Sequence, residues 1–144
     1  MKDWRAPTVL SYPDIEFEKG SHSRHDRAII LRTIKSFWRV FWDLPYARKE
    51  LGGIKKIKVD GLKKDEEDRI DGRFMDNLSS SRTFEFRVGA CVNGKTLAKT
   101  VVHELLHGLF FLDYRMQRRF PGTYNLEEAI VELSTEEVFR RFKR

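Results

Sequence analysis

Asn93-Gly94-Lys95-Thr96-Leu97-Ala98-Lys99-Thr100-Val101-Val102-His103-Glu104-Leu105-Leu106-His107 opens on a turn signal, Asn93-Gly94, and continues at helical period. Leu97, Val101, Leu105 and Leu112 recur four, four and seven residues apart. That spacing predicts a helix from about Thr96 to Arg115 with the apolar stripe on the core. At about 100° per residue, His103 and His107 lie about 40° apart and one turn along, away from the stripe. Two imidazoles placed so can hold one metal ion. Glu104 falls about 100° from His103, at the edge of the histidine face. From there its carboxylate can hydrogen-bond a water on the metal without being a ligand, and can take that water's proton.

Upstream of this helix the period shortens to two. Phe84, Phe86, Val88, Ala90 and Val92 fall on one face of a strand predicted over Arg82 to Val92. Shorter alternating segments cover Ile54 to Val59 and Gly72 to Asn77, with glycines and charges between them. Alternation suits a sheet with one face on the core and one face wet, and we expect it to be small and mostly antiparallel. Further upstream, Ser23 or Asp26 caps a helix that runs to about Asp43, where Pro45 marks the stop. Ala28, Ile29, Leu31, Ile34, Phe37, Trp38, Phe41 and Trp42 give that helix a wide buried face. Residues 1–22, with Pro7, Pro13 and Gly20, read as an irregular arm. Downstream, Pro121-Gly122 breaks the chain before a last helix from about Asn125 to Phe142. The order is helix, sheet, helix, helix, an α+β arrangement. At 144 residues and 40% hydrophobic, one domain over residues 1–144 is expected.

The apolar runs are short and broken by charge, which leaves no membrane span and no secretory signal, so a cytoplasmic protein is expected. The single cysteine, Cys91, cannot close an internal disulfide and suits core filling in a strand. Twenty-eight Lys and Arg against 22 Asp and Glu give +6. The basic residues look dispersed, with small clusters at Lys55, Lys56 and Lys58, at Arg115, Arg118 and Arg119, and at the end of the chain. Without an aromatic-basic motif, they predict weak, non-specific attraction to nucleic acid at most.

A catalytic zinc needs a third protein ligand and an open position. Of four histidines, His22 and His25 fall near the arm and none follows His107, so the ligand must be a carboxylate. Asp113, ten residues after His103, has the third-ligand spacing of the metzincin peptidases. The glycine that turns the metzincin chain back is Phe110 here, and a continuing helix carries Asp113 about 9 Å beyond His107. On the last helix, Glu128, Glu132 and Phe139 share a stripe, so those two carboxylates are expected to face inward.

The Glu128-Ala129-Ile130 run resembles the thermolysin-like gluzincins. There, Glu-Ala-Ile about twenty residues beyond HExxH supplies the third ligand, and an acid four positions later hydrogen-bonds a ligating histidine. The resemblance covers about residues 96 to 142 and is specific only in its two short motifs. In layout the chain is similar to the minimal zincin cores of small bacterial and bacteriophage metallopeptidases, including the ImmA/IrrE-like group. This implies a minimal zincin-like core with the HExxH helix and a ligand helix after it. It also implies a Zn2+ ion on His103, His107 and Glu128, with Glu132 orienting His103. The function implied is peptide-bond hydrolysis of a peptide or protein substrate, with Glu104 as general base. Thermolysin's second domain has no counterpart here, and Tyr114 and Tyr124, between the ligand helices, are candidate oxyanion donors. In zincins an extended peptide pairs with an edge strand beside the active helix, and Arg82 to Val88 is the candidate by position. Two other functions stay open, a nucleic-acid-associated regulatory protease and a non-catalytic, metal-stabilised interaction protein. The intact Glu104 argues against the second.

Overall fold

The computed structural model describes residues 9–61, 72–75, 83–89, 93–107 and 123–142. Strand β1 (Asp14–Phe17) leads into helix α1 (Arg24–Trp42), a short helix α2 (Pro45–Gly52) and strand β2 (Lys56–Asp60). Strands β3 (Gly72–Met75) and β4 (Thr83–Val88) follow, then helix α3 (Gly94–Leu106) and helix α4 (Thr123–Arg141). The α+β class holds.

Local chemistry sets the helix boundaries. Ser23 caps α1, its hydroxyl accepting from the Asp26 amide at 3.1 Å. Asn93 does the same for α3, accepting from the Thr96 amide at 2.9 Å, so Asn93-Gly94 starts the helix itself rather than a separate turn. Pro45, expected only to end α1, is the first residue of α2, where its missing N–H is no loss. The buried face of α1 is Ile29, Ile30, Thr33, Ile34, Ser36, Phe37, Trp38 and Trp42. Ala28 is exposed and Leu31 half-buried, because both lie toward the outer edge of the helix.

The sheet order is β1-β2-β4-β3, with β1–β2 and β2–β4 parallel and β3–β4 antiparallel. The expected mostly antiparallel sheet is therefore corrected to a mixed one. Alternation reports that one face is buried and says nothing about strand direction. Ile15, Ile57 and Phe84 stand in one row across the sheet, and Phe17, Val59 and Phe86 in the next, all on the core side. On the other face Lys56 meets Glu16 at 3.5 Å and Lys58 meets Glu85 at 3.9 Å. The irregular arm is corrected as well, since residues 14–17 are an edge strand whose crossover to β2 runs through α1 and α2. β4 is interior, flanked by β2 and β3, so Arg82 to Val88 is not the edge. Among the described strands, the edges are β1 and β3.

Helix α3 packs against α1, β3, β4 and α4. Leu97, Val101, Val102, Leu105 and Leu106 are at most 2% exposed, which makes it the central helix. It meets Phe37 and Trp38 of α1 and Val131 and Val138 of α4 in one hydrophobic core. Among the described residues, no helix is long and apolar enough to cross a membrane. Cys91 lies outside the described residues.

Candidate metal centre

His103 and His107 follow one another on α3, and their ring centroids are 4.8 Å apart at an interplanar angle of 61°. Zinc takes imidazole nitrogens at about 2.0–2.1 Å, which sets two rings on one tetrahedral ion about 5 Å apart. The observed centroid separation matches that spacing. His107 is 7% and Glu104 5% exposed, while His103 is half-buried. A buried carboxylate next to two imidazoles needs partners or a cation, and all three side chains are engaged in interactions within the fold. Two imidazoles with a carboxylate beside them are donors that suit a zinc ion, which takes three protein ligands in a catalytic site.

The remaining histidines are accounted for elsewhere. His22 donates from Nε2 to the Val88 carbonyl at 2.7 Å, and its Nδ1 lies 2.8 Å from the Ser21 hydroxyl. This pins the start of α1 to the end of β4, the end of the sheet where α3 begins, about two turns and more from His103. His25 is exposed.

Helix α4 reaches α3 through an ion pair that the sequence did not announce. Lys99 Nζ lies 3.0 and 2.8 Å from the two Glu136 carboxylate oxygens and 5.6 Å from the Phe139 ring centroid. The hydrogen bond from Lys99 holds the Glu136 carboxyl below the usual glutamate range, helped by the charges of Lys99, Lys95 and Arg140.

Among the described side chains of α4, Val131, Thr135 and Val138 are buried, Phe139 is half-buried against the core and Glu132 is exposed. Glu132 sits about 100° from Val131 and is exposed, so its expected inward place beside His103 is corrected. Position 128 lies one turn before Val131 on the α4 backbone, and its side chain is outside the described residues. Tyr124 is the second residue of α4 rather than part of the connection, and its side chain is likewise not described. Asp113 and Tyr114 lie outside the described residues. Among the described residues, no group of three or more His, Cys, Asp or Glu side chains could hold a metal.

A surface depression of about 260 Å³ is lined by Tyr12, Asp14, Trp42 and Lys55 among others, and it includes none of the three motif residues. Comparison of the chain with protein families, curated proteins and solved structures gives no match.

Proposed function

We propose that the chain is a zinc-dependent peptidase in which His103, His107 and Glu128 hold the ion and Glu104 is the general base. The observation that carries this is the His103–His107 pair, 4.8 Å apart on the central helix with the buried Glu104 carboxylate between them in sequence.

The Lys99–Glu136 contact supports Glu128 over its neighbours. In the proposal α3 and α4 run antiparallel. One turn along α3 from Lys99 is His103 and the next is His107, and the matching turns back along α4 are positions 132 and 128. A row of every fourth residue drifts by about 40° per turn. Going from Glu136 through 132 to 128 therefore moves from the exposed side toward the Val131 stripe. Position 127 is on the opposite flank of that stripe.

A bound zinc would acidify a water and polarise the scissile carbonyl. Glu104 takes the proton from the attacking water and delivers it to the leaving amine. Its burial keeps bulk water away from the carboxylate and strengthens its interaction with charge that develops nearby. His103 and His107 are held rigidly because α3 is buried on almost every side. An extended peptide is placed on the outer edge of β3, the edge strand that packs against α3. The test is zinc content and peptide cleavage for wild type and Glu104→Gln, with loss of cleavage at unchanged zinc as the expected result.

A further inference from the structure

Folding gathers part of the positive charge into a ridge. Arg24, Arg27, Arg32, Lys35 and Arg39 are all exposed on α1. On the helical wheel they span an arc of about 140° and a length of about 22 Å. The only acid in the helix, Asp26, is half-buried and lies on the other side.

None of the five cations forms an ion pair among the described residues, whereas Lys56, Lys58, Lys99, Arg140 and Arg141 each face a carboxylate. Lys35 instead lies over the Tyr12 ring at 5.7 Å, and Arg39 donates to the Ser36 hydroxyl at 3.1 Å. The arrangement works against the helix. Arg24 and Arg27 sit at the positive end of its dipole. The pairs Arg24–Arg27, Arg32–Lys35 and Lys35–Arg39 repel at three- and four-residue spacing. An external polyanion relieves both penalties.

We propose that the outward face of α1 docks on the phosphate backbone of double-stranded DNA without reading its bases. The face offers cations, the groups that hold phosphates, and has no Asn or Gln for adenine edges and no mixed donor–acceptor set to discriminate one base from another. An α-helix matches the width of the B-form major groove, which the deep and narrow A-form groove does not allow. Single strands need aromatic platforms, and the aromatic residues of α1 are turned to the core or half-buried. A helix that lies in a membrane interface inserts apolar side chains, and the exposed large hydrophobic residues include none from α1. This surface is independent of the metal centre.

The experiment measures binding of a fluorescent duplex of arbitrary sequence by anisotropy over a salt series. Wild type is compared with the triple variant Arg32→Glu, Lys35→Glu, Arg39→Glu and with a control of equal charge change, Lys19→Glu, Lys55→Glu, Lys95→Glu. Wild type binds at about 50 mM salt with a log–log salt slope of about −4, since each phosphate contact contributes about −0.9. The α1 triple variant loses at least about 30-fold in affinity and flattens the slope by about 3, while the control changes by less than about 5-fold. Circular dichroism checks folding. Should the triple variant not fold, Arg32→Gln, Lys35→Gln and Arg39→Gln singly each flatten the slope by about 1. Absence of binding at about 50 mM salt, equal losses in both triple variants, or binding to anionic vesicles in place of the duplex would each overturn the proposal.

Discussion

Lys99 of α3 and Glu136 of α4 meet at 2.8 Å, tying the helix that carries both motif histidines to the helix that carries Glu128. The contact is on the surface, with Glu136 61% exposed, so it sets register more than it adds stability. Because the folded-state carboxyl titrates below its ordinary range, its contribution is present above the ordinary glutamate pKa. It is lost as the pH falls through the folded value. Glu136→Gln should therefore be slightly less stable than wild type at pH 7, and the gap should close in acid. Denaturant midpoints at pH 7 and about pH 3 check this. A gap that persists in acid would mean that the ion pair is not its cause.

In the proposal, antiparallel packing of α3 and α4 makes Glu128 the third ligand. Glu128→Ala should lower zinc affinity by orders of magnitude, while Glu127→Ala and Asp113→Ala leave one zinc per chain. Metal analysis of the purified variants decides it. Zinc lost in Asp113→Ala and kept in Glu128→Ala would move the ligand to the segment after His107.

Removal of an outer-shell partner that orients a ligating histidine typically costs about 10- to 100-fold in metal affinity or activity. Glu132 is exposed, and Glu132→Gln should change zinc affinity by less than about twofold. A competition titration with a chromophoric chelator measures it. A tenfold loss would show that the carboxylate reaches His103 despite its exposure.

What could be read from sequence was local. The cap at Ser23, the ends of α1 and the shared face of His103 and His107 each depend on residues within a turn or two. Features that depend on distant partners were not legible. Strand β1 is four residues long, among prolines and exposed acids, and only pairing with β2 makes it a strand. Parallel pairing left no mark on an alternation that one-sided burial explains equally well. The stripe of α4 was misjudged because helical period gives spacing but not which face meets α3, and Val131 rather than Glu132 took the inner side. The cationic ridge of α1 was hidden because its members are three to five residues apart in sequence and become neighbours only on the helix.

The central claim is that Glu104 is a base, and not merely a buried carboxylate in a metal-stabilised scaffold. The most direct measurement is digestion of a peptide library by wild type and Glu104→Gln, with zinc content determined on the same samples. Glutamine keeps the size and hydrogen bonding of the side chain but cannot accept the proton. Both proteins should carry one zinc, and cleavage by the variant should fall by about 10² or more. Equal cleavage by the two proteins at equal zinc would contradict the account.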